Sequence, residues 1–166
     1  MQIKSKIVPC LWTDDRAEEQ VAFYTGIFPG SRVVQTTYYP DTGKEVHGHD
    51  AGQVLTIEFE LAGMAFTALN GGPAFRYNEA VSFQVMCGDQ AELDHYWSRL
   101  GEGGDPQAQQ CGWLKDRFGL SWQVVPQAMI DMLTSPDRAG MTRAFAAMMQ
   151  MKKLDIAALQ RAFDGK

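Results

Sequence analysis

The feature that most constrains this chain is that its first part comes back later on. Asp15-Arg16-Ala17-Glu18 resembles Asp89-Gln90-Ala91-Glu92, and each is followed by two aromatics, Phe23 and Tyr24, then Tyr96 and Trp97. Gly63-Met64-Ala65-Phe66 resembles Gly119-Leu120-Ser121-Trp122, with an aromatic three residues after the glycine in both. Self-similarity of this kind marks a duplicated supersecondary unit. Whatever the first half builds, the second half is expected to build again.

The periodicities say what that unit is. Lys6 to Trp12 is a nearly continuous apolar run and reads as a strand. A helix follows, with Asp15 as N-cap and Glu18 completing a capping box. Its stripe is Ala17, Val21, Tyr24 and Phe28, and Pro29-Gly30 stops it. Arg32 to Tyr39 reads as a strand, Lys44 to Gly52 as a polar loop, and Val54 to Leu61 and Met64 to Leu69 as two more strands. The second half repeats the order. Ala80 to Cys87 is a strand, Gln90 to Leu100 a helix striped by Leu93, Tyr96, Trp97 and Leu100, and Gln107 to Gln110 a weaker strand. Cys111 to Pro126 closes it as a hairpin that turns at Asp116-Arg117-Phe118-Gly119. The expected fold is therefore α+β: a βαβββ module over 1–73, a second over 74–127, and a helical tail over 128–166. In the tail, Ser135-Pro136 and Asp155 read as helix starts, and Met141, Ala144, Phe145, Met148 and Met149 as an apolar stripe packed on the sheet.

Charge and composition narrow the function. The net charge is −5 and no Lys/Arg cluster offsets it, which speaks against a nucleic-acid partner. No apolar run reaches the length of a membrane span. Three widely spaced cysteines, Cys10, Cys87 and Cys111, fit reduced thiols, and a cytoplasmic location is expected.

Several phrases carry a family resemblance. CLWTDDRAEEQVAFYTGIFPGS, VLTIEFELAGMAFTALNGGPAF, AVSFQV, CGWLKDRFGLSWQVVP and the tail AFAAMMQMKKLDIAALQRAF cover most of the chain. Together they resemble the PhnB-like, 3-demethylubiquinone-9 3-methyltransferase-like family. That family belongs to the glyoxalase/bleomycin resistance/dioxygenase, or vicinal oxygen chelate, superfamily. The resemblance implies curved sheets that form a cup for a small ligand or a metal. It also implies metal-holding positions that fall at or beside Pro9, Thr67, Ala80 and Gln123. Proline and alanine offer no side-chain ligand, and an amide is a weak one for a divalent ion, so no metal and no other cofactor is expected. The methyltransferase label finds no support: no glycine-rich loop follows the first strand in a doubly wound pattern.

What remains is a candidate binding site. If Trp122 and Val124 face the core, Gln123 faces the other side of its sheet. Trp113 stands three residues before Asp116, a place that lines the pocket in similar proteins. Cys111, Thr67 and Asn70 complete the expected ligand-binding set, although Asn70-Gly71-Gly72-Pro73 also reads as a plain connector and Cys111 as an inert thiol. His47 and His49 have H-x-H spacing but read as a solvated loop, and His95 as a helix-surface residue. The expectation is a metal-free small-molecule-binding protein, a homodimer through its Met-rich tail, with an enzyme of the same fold as the alternative.

Overall fold

The computed structural model describes residues 5–166. The chain divides into two compact units, Met1–Arg76 and Tyr77–Lys166.

The first unit runs β1 (Cys10–Thr13), α1 (Ala17–Thr25), β2 (Arg32–Tyr38), the single turn α2 (Lys44–His47), β3 (Val54–Leu61) and β4 (Met64–Asn70). Its sheet has the order β1-β4-β3-β2, with β1 and β4 parallel and the other pairs antiparallel. The β3–β4 turn is the two-residue kind that matches strand twist: Ala62 and Gly63 both have positive φ, 47° and 85°. Alternation then buries Ile57, Phe59, Leu61, Phe66 and Ala68, while the helix buries Ala17, Val21 and Tyr24.

β1 is shorter than the apolar run before it. Ile7 and Val8 are exposed, and pairing begins at Pro9, whose carbonyl accepts from Thr67 N–H at 2.9 Å. Proline has no N–H to donate to a ladder. The start of α1 also differs from expectation. Asp15 sits at φ 55° and caps nothing; the N-cap residue is Arg16. The helix is capped from outside instead. Thr13 Oγ1 accepts from Arg16 N–H at 3.2 Å, and Asn70 Oδ1 accepts from Ala17 N–H at 2.8 Å.

Asn70 is thus a polar hub at the end of β4. Its Oδ1 also accepts from the Thr13 hydroxyl at 2.8 Å. Its Nδ2 donates to Glu18 Oε2 and to the Val54 carbonyl, both at 3.1 Å. Its backbone carbonyl accepts from Tyr39 Oη. Four elements or their ends meet at this one amide.

The second unit contains β5 (Ser82–Cys87), α3 (Gln90–Gly101), β6 (Trp113–Lys115), β7 (Ser121–Pro126), α4 (Gln127–Leu133), α5 (Arg138–Met148) and α6 (Ile156–Asp164). Its sheet has the order β5-β7-β6, again with the first pair parallel. Asp89 caps α3 by accepting from Glu92 N–H at 2.9 Å, and Glu92 Oε2 reaches back to Gly88 N–H at 2.7 Å. The capping box expected of Asp15 therefore operates at its counterpart.

The strand expected over Gln107–Gln110 is not formed. Pro106–Ala108 is a 3-10 turn capped by Asp105, and Gln110 makes only an isolated bridge to Trp113. The stretch has a proline at its head and no β-branched residue to favour extension. α5 begins two residues later than expected: Asp137, not Ser135, caps it by accepting from Gly140 N–H at 2.9 Å. Of its predicted stripe only Ala144 is buried, and Phe145 is exposed. α6 starts at Asp155 as expected, with Asp155 accepting from Ala158 N–H at 2.8 Å.

Two outcomes follow from this packing. Asn70→Ala takes the acceptor from the Thr13 hydroxyl and the Ala17 N–H and a donor from the Val54 carbonyl, and is expected to cost on the order of 3 kcal/mol in urea unfolding. Cys87, almost fully buried, has its thiol pushed up to about 12 by burial and by the carboxylates of Glu92 and Asp89. A raised folded value protects stability below the ordinary thiol value, near 9.0, and loses it as pH rises toward 12. The stability advantage of the wild type over Cys87→Ala should narrow between those pH values; a constant gap would refute it.

Candidate binding cavity

The cavity is built from the β6–β7 hairpin upward. Asp116 sits at its turn, nearly fully buried. Its Oδ1 accepts from Phe118 N–H at 2.9 Å and Leu120 N–H at 3.0 Å, and its Oδ2 accepts from Trp122 Nε1–H at 2.8 Å. These bonds set the turn and hold Trp122 on the buried face of β7, beside Val124. Alternation then puts Gln123 on the opposite face.

Register does the rest. Trp113 pairs with Gln123 on one side and Gln84 with Gln123 on the other, so the three stand in a row across the sheet. Gln123 Nε2 donates to Ser82 Oγ at 2.8 Å, and its Oε1 accepts from Gln84 Nε2 at 3.3 Å. The row presents one aromatic ring and two neutral amides.

The turn before β6 adds a thiol. Cys111 and Gly112 both have positive φ, 52° and 84°, and Gln110 and Trp113 exchange two backbone hydrogen bonds around them at 3.1 and 2.8 Å. This tight primed turn favours glycine at its second position. A Cβ on Gly112 would also lie 3.1 Å from the Val124 carbonyl. Cys111 holds the left-handed position without glycine's freedom, at a cost of ~1 kcal/mol. The turn is braced from outside: Cys111 N–H and Gly112 N–H donate to the carbonyls of Met151 and Lys152, each at 2.8 Å.

Over this floor lies a cavity of ≈ 450 Å³, within the ~300–1,000 Å³ typical of small-molecule sites. The sheet side supplies Gln84, Gln110, Cys111, Trp113, Gln123 and Val125. The other side comes from the tail: Met129, Ile130 and Leu133 of α4, Met148 and Met149 at the end of α5, and Leu154. Cys111 Sγ lies 3.8 Å from Met149 Sδ. No Asp, Glu, His, Lys or Arg is among the lining residues.

Three expected site residues, Trp113, Gln123 and Cys111, thus share one cavity. Thr67 and Asn70 do not line it. Thr67 lies in the first unit's sheet, between Cys10 and Glu58. Burial raises the Cys10 thiol value there. Asn70 has its side chain fully engaged in the hub described above. Sequence reasoning missed Gln84, Gln110 and the methionines. Gln84 was findable, because it alternates with Phe83 and Val85 as Gln123 does with Trp122 and Val124.

The first unit corrects another expectation. His49 is not solvated: it is buried, stacked on Tyr39 with ring centroids 4.3 Å apart, and its Nε2 lies 2.8 Å from Asp15 Oδ1. It borders a smaller cavity of ≈ 260 Å³ with Asp15, Glu18, Gln53 and Asn70. His49 Nδ1 is buried with no hydrogen-bond partner among the described residues. His95 is exposed on α3 as expected.

The superfamily's metal does not suit these side chains. Of the four corresponding positions, Pro9 and Ala80 bring no side-chain donor, and the Gln123 amide is uncharged and already bonds Ser82 and Gln84 through one N–H and one oxygen lone pair. Among the described residues no three His, Cys, Asp or Glu converge as a metal site. No helix among them is long and apolar enough to cross a membrane.

Two modules that each pair a parallel strand couple with a crossing helix and an antiparallel hairpin define the glyoxalase/bleomycin resistance fold, of the vicinal oxygen chelate superfamily. Within it, the chain belongs to the family described as 3-demethylubiquinone-9 3-methyltransferase, whose sequence profile matches residues 5–125. A solved Bacillus cereus structure described as a putative 3-demethylubiquinone-9 3-methyltransferase, PhnB protein, is 29% identical, with a TM-score of 0.62; the match covers 74% of this chain and 99% of that one. Protein PA1353 from Pseudomonas aeruginosa is 21% identical with a TM-score of 0.53, over 74% and 98% of the two chains. The fosfomycin resistance protein FosX from Listeria monocytogenes is 16% identical with a TM-score of 0.50, over 81% and 100%. The last two share the fold. No curated protein sequence matches.

Proposed function

We propose that this protein binds a small, uncharged, partly apolar molecule in the cavity of its second unit, and does so without a metal ion. The observation that carries the reading is the lining itself. An apolar cavity of small-molecule size meets a row of neutral amides, with no charged side chain among its walls. A charged ligand would lose its hydration there and find no opposite charge, which is costly. An uncharged one can bury apolar surface against Trp113, Ile130 and Leu154, while the amides of Gln123 and Gln110 donate or accept at its polar edge.

The same lining argues against an enzyme of the acid–base type. Such catalysis needs a positioned carboxyl, imidazole or similar group near the reacting atoms. Cys111 is the only titratable group in the walls. Methyl transfer from a nucleotide-bearing donor gains no support either. The sheets here have four and three strands, each with a single parallel pair, rather than a doubly wound parallel array.

The reading is tested on the full chain with a panel of uncharged molecules: cyclohexanol, 1-decanol and N-phenyl-1-naphthylamine, followed by calorimetry and tryptophan fluorescence. At least one should bind saturably. Trp113→Ala should weaken that binding by about tenfold, the usual loss for a central aromatic anchor, and Gln123→Ala by a smaller factor. Binding by none of the panel, or equal binding by both variants, would sink the assignment. Elemental analysis of protein purified without chelator should find transition metal far below one atom per chain; a stoichiometric ion retained through dialysis would overturn the metal-free part.

A further inference from the structure

The family's profile ends at Val125, and the Bacillus cereus structure is spanned almost whole by 74% of this chain. Everything from α4 onward therefore lies beyond the stretch that the family profile matches. It is not a loose appendage. Its segment between α5 and α6 is strapped to the elements that frame the cavity. Cys111 and Gly112 donate to Met151 and Lys152, and Gln110 Nε2 donates to the Met149 carbonyl at 3.1 Å. Gln90, the first residue of α3, clasps the same segment from both sides. Its Nε2 donates to the Leu154 carbonyl at 3.2 Å, and its Oε1 accepts from Ile156 N–H at 2.9 Å. Lys153 pairs with Asp94 at 2.6 Å.

What this C-terminal segment brings to the cavity is chemically narrow. Three of its six lining residues are methionines, Met129, Met148 and Met149; the others are Ile130, Leu133 and Leu154. Thioethers are polarizable, adapt their shape through three rotatable bonds, and make favourable contacts with aromatic rings. The wall opposite them carries the Trp113 ring and the Gln123 and Gln110 amides.

We propose that the C-terminal segment from α4 onward is the specificity-determining wall of the cavity, and that it selects a flat, uncharged aromatic molecule. The ring would lie between Trp113 and the methionine thioethers, with its polar edge toward the amides. This rests on the binding reading above and narrows it. A cavity bounded by the sheet alone would accept any apolar molecule of suitable size. One faced with methionines and tryptophan favours a ring over a saturated chain.

The test uses the full chain with three probes: N-phenyl-1-naphthylamine, its sulfonated relative 1-anilinonaphthalene-8-sulfonate, and saturated 1-decanol. The wild type should bind the uncharged aromatic at least tenfold tighter than either of the others. Met149 is half-exposed, so its replacement should not endanger the fold. Met149→Lys places an ammonium at the cavity wall, and should raise affinity for the sulfonate about tenfold while lowering that for the uncharged aromatic. Met148→Ala should weaken the aromatic probe more than decanol. If decanol binds best, and Trp113→Ala abolishes it, the cavity stands and the aromatic selectivity falls. If the aromatic probe binds and depends on Trp113 while Met149→Lys leaves the probe ratio unchanged, the sheet alone sets specificity and the role of the C-terminal segment is refuted. If no probe responds to Trp113→Ala, the cavity reading fails with it.

Discussion

The cavity-lining face of the second unit's sheet depends on one buried carboxylate. Asp116 accepts from two backbone N–H groups and the Trp122 indole, all within 3.0 Å. A carboxylate withdrawn from water is tolerated only when it is bonded in this way. Its bonds tie the turn to the strand that follows it, so the register of β6 against β7 has no freedom to slip. That matters because a slip of one residue would move every side chain to the opposite face. A slip of β6 would take Trp113 out of the cavity and bring Leu114 in. The side chain that specifies the hairpin therefore also specifies which groups line the cavity.

Asn70 does comparable work in the first unit by a different route. The duplicated phrases Asp15-Arg16-Ala17-Glu18 and Asp89-Gln90-Ala91-Glu92 imply the same helix start, and both do precede helices. Only Asp89 caps its own helix. At Asp15 the chain enters the left-handed region, and the cap passes to Asn70, more than fifty residues away in sequence. Asp15 is thereby released to meet His49 Nε2, and Glu18 to meet Asn70 Nδ2. Local capping chemistry is readable from a sequence, but a cap supplied across the fold is not. This is also why the sequence alone did not give Asn70 this role. A polar residue ending an apolar strand reads the same whether it faces a pocket or closes a helix.

The parts legible beforehand are those set by period and turn chemistry. Alternation located Gln123 opposite Trp122 and Val124, and the Asp116–Gly119 turn located the hairpin. Three-residue and four-residue spacing located α1 and α3. The illegible parts depend on long-range contacts. His49 lies in a polar stretch, yet Tyr39 and Asp15 draw it inside. The methionines of the tail read as ordinary core stripe, because an apolar wall facing a cavity and one facing packed side chains share the same pattern.

The missing fourth strand and the C-terminal segment belong to one structural trade. Two strands of six residues and one of three, with an open edge at β6, make a small sheet with little area to bury. The stretch that would have extended it is a 3-10 turn instead. The C-terminal segment makes up the deficit. Met129, Leu154 and Leu159 are almost fully buried within the same unit, and the carbonyls of Met151 and Lys152 take the N–H groups of Cys111 and Gly112 that lead into the β6 edge. The same contacts put a second wall over Trp113 and Gln123. Stabilising a shortened sheet and enclosing one of its faces are thus one act of packing, and residues recruited for burial are among those that line the cavity.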